Sequence, residues 1–403
     1  MPKRIAILGS TGSVGCNAVA VVAALGPGYA VTALSAGRNG PKLLEQARLC
    51  RPAAVAIADP DPDPALVAEL AALGCAVHVG PDGLVELATR DDVDVVLAAV
   101  VGAAGLPAVL AAVRAGKTLA LANKESLVVA GSLVMAEAKA RGVPVLPVDS
   151  EHAAVFQAMQ AGRPNEVARI VLTASGGPFR TWPAERIESA TLADALRHPT
   201  WQMGNKITID SATMFNKALE IIEARWLFDL PAERIKVVVH PESVVHSMVE
   251  FVDGSVVAQL SPPDMKTPIQ YALTYPERVP GPARRMDWAK AFDLHFEPPD
   301  EKRFPALTLA YEAVRAGGTM GAVLNGANEA AVDLFASGKI AFGEISRVVG
   351  FTMSRHPVQA APSLDDLIEA DRWARQTARE RAGVGTSAAA AMPPVRPAES
   401  VLA

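Results

Sequence analysis

The chain has 403 residues, half of them hydrophobic and a fifth charged, enough for two or three domains with real cores. A net charge of −5 and the lack of any basic stripe exclude general nucleic-acid binding. Cys16, Cys50 and Cys75 are scattered and form no CxxC pair, which excludes a disulfide framework and fits a reducing compartment.

The N-terminus, MPKRIAILGSTGS, has an apolar core too short for a secretory signal. Strand-like runs follow at 4–9, 29–37, 53–58, 93–100, 118–122 and 144–149, alternating with Ala/Leu-rich helical stretches. This rhythm predicts an α/β fold with an N-terminal doubly wound, Rossmann-like parallel sheet. The uncharged run 95–113 approaches the length of a membrane span. Gly102, Gly105 and Pro107 interrupt it, so a buried strand, a loop and a helix are expected, with no membrane contact.

Residues 173–211 form a polar, glycine-containing stretch, of which 173–206 reads as a loop. A helix is expected from about Met214 to Phe228. Residues 235–260 read as antiparallel strands, with Asp253-Gly254 as a hairpin turn. A proline-rich linker (276–299), a helical region (304–380) and a low-complexity, disordered tail complete the chain. The division expected is 1–149 for nucleotide binding, 150–285 for a central α+β catalytic and dimerisation domain, 286–303 as linker, 304–383 as a helical domain and 384–403 as tail.

Gly9, Gly12 and Gly15 lie between the first strand and the first helix. Glycines there let the backbone approach a pyrophosphate at the helix N-terminus. An ordinary tight turn reads the same way. The second strand ends Ser35-Ala36-Gly37-Arg38-Asn39. No acid stands there to hold the ribose hydroxyls of NAD, and Arg38 suits a 2′-phosphate, which favours NADP(H).

In VPVLPVDSEHAAVF, Asp149 and Glu151 share a side if the backbone stays extended. Paired carboxylates repel unless a cation or proton intervenes, and Mg²⁺ or Mn²⁺ suits oxygen ligands. The alternative is a helix start, with Ser150 as cap and Glu151 near the positive end. In NKALEIIEARWLF, Asn216, Lys217 and Glu220 share one helical face. Alone, Lys217 and Glu220 read as a weak surface ion pair. Asn123-Lys124-Glu125 follow a buried strand, where Lys124 reads either as a polarising ammonium or as a solvated charge. Residues 173–206 hold two tryptophans and His198, as a closing loop would. Ser175, Ser211, Asn216 and Lys217 are donors suited to a phosphate monoester.

The blocks GSTGSVG, LANKESLV, PVDSEHAAVFQ, LTASGGPFR, HPTWQMGNKITIDSATMFNKALEIIEARWLF, HPESVVHSMVEFVDGSVVAQL, PDMKTPIQYAL and LNGANEAAV occur in order. Over residues 1–380 the chain closely resembles the 1-deoxy-D-xylulose 5-phosphate reductoisomerase family. The resemblance implies one divalent cation (Mg²⁺, Mn²⁺ or Co²⁺) on Asp149, Glu151 and Glu220. Ser150 and Lys124 would contact the substrate oxygens that the cation chelates. Ser175, His198, Ser211, Asn216 and Lys217 would hold the phosphate end. Trp201 and Met203 would belong to a flap near 175–205. NADPH would lie against Thr11, Gly12, Ser13, Val14, Gly37, Arg38, Asn39, Asn123, Glu125, Met203 and Met265. The implied reaction rearranges 1-deoxy-D-xylulose 5-phosphate by retro-aldol cleavage and re-addition. Hydride transfer then gives 2-C-methyl-D-erythritol 4-phosphate, an isoprenoid precursor. A homodimer in the bacterial cytoplasm is implied as well. The tail after about residue 384 matches nothing in the family core, and the family varies at Gly37-Arg38-Asn39.

A semialdehyde dehydrogenase shares a glycine-rich NADP domain but needs a nucleophilic cysteine in its second domain. All three cysteines here lie in the first 75 residues. Homoserine dehydrogenase has a similar Ala-Asn-Lys turn but gives no account of Asp149, Glu151 and Glu220. A non-catalytic NADP sensor would not need these acids together with a phosphate-binding set.

Overall fold

The structure is a computed structural model describing residues 1–383 apart from Gln202. The expected tail at 384–403 lies outside the described residues. Seven strands form one parallel sheet: β1 (Lys3–Leu8), β2 (Tyr29–Ala36), β3 (Ala54–Ile57), β4 (Ala76–Val79), β5 (Val95–Ala98), β6 (Thr118–Leu121) and β7 (Val145–Pro147). Helices α1 (Ser13–Leu25), α2 (Gly40–Cys50), α3 (Pro64–Ala72), α4 (Asp82–Thr89), α5 (Leu106–Arg114) and α6 (Lys124–Arg141) connect them. β1, β3 and β5 carry apolar side chains buried toward both faces, as a sheet covered by helices requires.

The strand order is β4-β3-β2-β1-β5-β6-β7. The direction of travel reverses between β1 and β5, which opens a crevice at their C-terminal ends. Gly9 sits in that crevice with φ +81°, and a Cβ there would lie 2.6 Å from the Ala99 carbonyl oxygen. Only glycine lets the loop after β1 settle on the loop after β5. The run 95–113 resolves into β5, a short 3₁₀ turn and α5. Among the described residues no helix is long and apolar enough to cross a membrane.

The second half begins with α7 (Ser150–Ala158), β8 (Val167–Ala174), α8 (Ala184–Glu188), α9 (Leu192–Ala195), α10 (Asn205–Thr213) and α11 (Phe215–Leu227). It continues with β9 (Ile235–Val239), β10 (Val245–Phe251), β11 (Val256–Leu260) and α12 (Lys266–Thr274). The second sheet runs β11-β10-β8-β9. β10 and β11 form the expected antiparallel hairpin around Asp253-Gly254, with Gly254 at φ +84°. β9 corrects the expectation. It pairs in parallel with β8, on the far side from β10. The stretch 173–206 is likewise no continuous loop, since it holds the end of β8, the helices α8 and α9 and the start of α10.

Helices α13 (Ala306–Ala316), α14 (Met320–Ala336), α15 (Glu344–Arg355) and α16 (Leu364–Arg381) make the C-terminal bundle. One continuous core joins this bundle to α6, α11 and β8. The expected linker is strapped down: Val239 and Glu297 exchange backbone hydrogen bonds of 2.8 and 2.9 Å along the free edge of β9. α12 packs back on the first sheet, where Ile269, Ala272 and Leu273 join its core.

Candidate active site

A cavity of about 450 Å³ opens between the crevice of the first sheet and the second sheet. Its wall begins where three helices start or pass. The buried run of β6 ends at Asn123, whose side chain accepts from the Ser126 amide at 3.1 Å and caps α6. Lys124 and Glu125 therefore occupy the first helical turn, and both are buried rather than solvated. At the end of β7 the chain stays extended only as far as Asp149 (φ −60°, ψ 136°). Asp149, not Ser150, caps α7, accepting from the Ser150 amide at 3.0 Å. Glu151 follows in the first turn, so a helix start, not a strand, brings the two carboxylates together.

α11 supplies the rest. Its buried faces include Lys217, Glu220 and Glu223, and Glu220 is 0% exposed. The expected surface pair is thus a core pair. Lys124 Nζ reaches Asn216 Oδ1 at 2.8 Å and Glu220 Oε1 at 3.1 Å, and it pairs with Asp149. Lys217 Nζ reaches Glu151 Oε1 at 2.8 Å and pairs with Glu220. Asn216 Nδ2 donates to Glu220 Oε1 at 2.6 Å.

One oxygen each from Asp149, Glu151 and Glu220 lies within 4.8 Å of the others. Burial raises the Asp149 carboxyl, but the Lys124 ammonium beside it, joined by His152 and Lys217, more than reverses this, down to about 2. Burial and then the Glu151 charge push Glu220 up to about 7, against both lysines. Asp149 Oδ2 is paired with the Lys124 ammonium. Three crowded carboxylate oxygens fit a hard divalent cation.

Behind them lies a second group that the sequence reading missed: Asp149, His152 and Glu223. His152 Nε2 lies 3.0 Å from the Glu220 carbonyl oxygen, so this nitrogen carries the proton. Burial and then the Asp149 charge hold Glu223 well above the ordinary carboxylate range. Glu223 is therefore protonated, and its Oε2 faces the unprotonated Nδ1 of His152 at 3.2 Å.

At the other end of the cavity, His198 Nδ1 accepts from the amides of Thr200 (3.1 Å) and Trp201 (2.9 Å). Its proton therefore sits on Nε2, which donates to Ser175 Oγ at 3.0 Å. Burial lowers the His198 imidazole to about 4, so it is neutral at pH 7. Ser175, His198, Trp201, Met203, Ser211, Asn216 and Lys217 all line the cavity, and so does Met265. His246 and Ser243 line it too and were missed. Their block was visible in the sequence, but nothing local pointed them inward.

On the nucleotide side, Gly12, Ser13, Val14, Asn123 and Glu125 line the cavity. α1 has no side-chain cap, which leaves its first-turn N–H groups open to an anion. A Cβ on Gly15 would lie 2.3 Å from the Gly9 carbonyl oxygen, so the loop closes only with glycine. Thr11, Gly37, Arg38 and Asn39 lie outside the cavity wall. Gly37, Arg38 and Asn39 are exposed at the end of β2, and Asn39 caps α2.

Three family models match the chain. One described as 1-deoxy-D-xylulose 5-phosphate reductoisomerase covers residues 5–131, and the C-terminal domain of that enzyme matches at 145–228 and again at 260–377. A 1-deoxy-D-xylulose 5-phosphate reductoisomerase from Geobacter sp. (strain M21) is 51% identical, over 95% of this chain and 100% of its own. The enzyme of that name from Chloroherpeton thalassium is 52% identical, over 94% and 98%. Among solved structures, the Zymomonas mobilis reductoisomerase in complex with NADPH superposes with a TM-score of 0.89 at 44% identity, covering 95% of this chain and 99% of that one. A DOX-P reductoisomerase in complex with NADPH, fosmidomycin and magnesium gives 0.89 at 40% identity, covering 94% and 98%.

Proposed function

The chain belongs to the 1-deoxy-D-xylulose 5-phosphate reductoisomerase family, and from that premise we propose that Asp149, Glu151 and Glu220 hold its catalytic cation. The protein is an NADPH- and divalent-metal-dependent oxidoreductase. It rearranges and reduces 1-deoxy-D-xylulose 5-phosphate to 2-C-methyl-D-erythritol 4-phosphate, a step of isoprenoid precursor synthesis. The observation that carries the cation assignment is the convergence of three buried or half-buried carboxylate oxygens within 4.8 Å. When bound, the cation supplies Lewis-acid stabilisation of charge developing on substrate oxygens.

The side chains divide the remaining work. Asp149 and Glu220 keep Lys124 protonated, against the cost of its burial. Its ammonium and the Ser150 hydroxyl are donors for the two substrate oxygens nearest the acids. Ser175, Ser211, Asn216, Lys217 and the Nε2–H of His198 grip the phosphate, so binding energy is drawn from a group remote from the reacting carbons. Trp201 and Met203 close over the substrate and exclude water. Gly12, Ser13 and Val14 receive the pyrophosphate, Asn123 and Glu125 the adjoining ribose, and Met203 and Met265 flank the nicotinamide. Thr11, Gly37, Arg38 and Asn39 serve the adenosine end beyond the cavity, with Arg38 facing the 2′-phosphate.

The same reading places the boundaries near residues 149, 285 and 303, and the protein in the bacterial cytoplasm as a homodimer. Support for the dimer is apolar surface: Val256 and Leu260 on the free edge of β11, and Trp288 and Phe292 beside it, are all exposed. The test of the cation site is Mn²⁺ titration followed by electron paramagnetic resonance. One tight site in the wild type, lost in Asp149→Asn and in Glu151→Gln, is expected. A site untouched by both substitutions overturns the assignment.

A further inference from the structure

The chain from Ser175 to Asn205 is held at both ends by residues that no part of the reaction uses. Upstream, Arg303 Nη1 donates to the carbonyl oxygens of Arg180 (2.9 Å) and Trp182 (2.8 Å). Phe179, fully buried, packs between Trp182 and Phe342 at ring distances of 4.6 and 5.0 Å. That end is fixed to the C-terminal bundle whatever the cavity holds.

The downstream end is different. α10 starts at Asn205 with no side-chain cap on its first turn. Ile209 and Ala212 pack into the core, and Lys206 supplies the polar link to the crevice. Lys206 Nζ bridges Glu125 Oε1 and Asp210 Oδ2, both at 2.9 Å, and both acids are buried. Asp210 Oδ1 accepts from Asn328 of α14 at 2.9 Å, which ties α10 to the bundle. Glu125 Oε2 accepts from Asn123 Nδ2 at 3.1 Å, and that amide also donates to the carbonyls of Val100 and Gly102 in the crevice loop. A continuous polar chain thus runs from the crevice through Lys206 to the hinge helix and the bundle. A buried ammonium shared by two acids is stable only while both stay in place, so anything that moves or fixes Glu125 is felt at α10.

We propose that Lys206 is a positioning residue that links nucleotide binding to the flap: a dinucleotide seated beside Asn123 and Glu125 fixes Glu125, and Lys206 passes that restraint to the hinge at α10. The proposal rests on the reading that Glu125 lies beside NADPH.

The test is chymotrypsin cleavage after Trp201 in the full chain, with and without saturating NADPH, alongside direct NADPH binding by fluorescence and KM and kcat for 1-deoxy-D-xylulose 5-phosphate. In the wild type NADPH should slow cleavage about fivefold or more. Lys206→Met should still bind NADPH but lose that protection, and its KM should rise more than its kcat falls. Lys206→Arg should restore both. Asp210→Asn is isosteric and keeps its bond to Asn328; it decides the matter if Lys206→Met fails to fold, and it should lose protection with NADPH affinity within about twofold of wild type. Full protection in Asp210→Asn or Lys206→Met overturns the proposal. So does a wild type that binds NADPH without protection. A wild type that fails to bind NADPH at all overturns instead the cofactor reading beneath it.

Discussion

Replacing Glu220 with glutamine should affect stability and metal binding in opposite directions. Glu220 is fully buried, and burial with the Glu151 charge raises its carboxyl from 4.5 to about 7 in the metal-free protein. The folded state therefore binds more protons than the unfolded state between about pH 4.5 and 7. Stability from this group is present at low pH and lost as pH rises through that window. A tenfold change in proton affinity is worth about 1.4 kcal/mol, so the loss is about 3 kcal/mol at most. Glutamine mimics the protonated acid. In EDTA above pH 7, Glu220→Gln should be as stable as wild type or more so, and should lack this part of the pH slope. A chain of this size shifts its melting temperature by about 1 °C per kcal/mol, so the gain is up to a few degrees. Saturating Mn²⁺ should reverse the order. At a thousand times its Kd a ligand contributes about 4.1 kcal/mol, and only the wild type should gain it. Calorimetry with and without metal at pH 6 and pH 8 reads all four states. A metal-free variant several kcal/mol below wild type at pH 8, or one that keeps the full metal shift, refutes the reasoning.

Asp149→Asn should cut kcat by at least about a hundredfold while leaving NADPH affinity unchanged, because it removes a cation oxygen and the partner of Lys124. Steady-state kinetics with fluorescence titration checks both. His198→Ala should raise KM for the substrate about tenfold or more, the scale of one lost hydrogen bond to a charged group, with the smaller effect on kcat. Arg38→Ala should narrow the preference for NADPH over NADH, read as the ratio of kcat/KM for the two cofactors, without changing kcat. Leu260→Arg on the edge of β11 should shift the protein toward monomer in analytical ultracentrifugation, since a charge there would oppose pairing of the two copies.

The parallel sheet was legible because its strands are short buried runs between helical stretches. β4 escaped because AVHV is a half-exposed edge strand with a histidine inside it. The pairing of β9 with β8 escaped for a different reason. The two strands lie more than sixty residues apart, and hydrophobic alternation says which residues are buried but not which strand lies alongside. In the site, the shared face of Asn216, Lys217 and Glu220 followed from helical spacing. That this face meets Lys124 did not, because the contact closes over ninety residues of chain. That one cation joins Asp149, Glu151 and Glu220, and that His198 joins the phosphate donors, entered through resemblance to the family, and the structure brings those residues together around one cavity. His152 and Glu223 sit behind the acids, and Lys206 lies between two acids on separate helices. Each is an ordinary charged residue until the fold buries it.

The most direct test of the account is NADPH oxidation, followed by absorbance, with purified protein and 1-deoxy-D-xylulose 5-phosphate. The assay is run with Mg²⁺ or Mn²⁺, and again after exhaustive EDTA treatment. The account predicts turnover with either metal, none after EDTA and full recovery when metal is restored. Turnover that survives metal removal, or no turnover from folded protein that binds NADPH and metal, would contradict it.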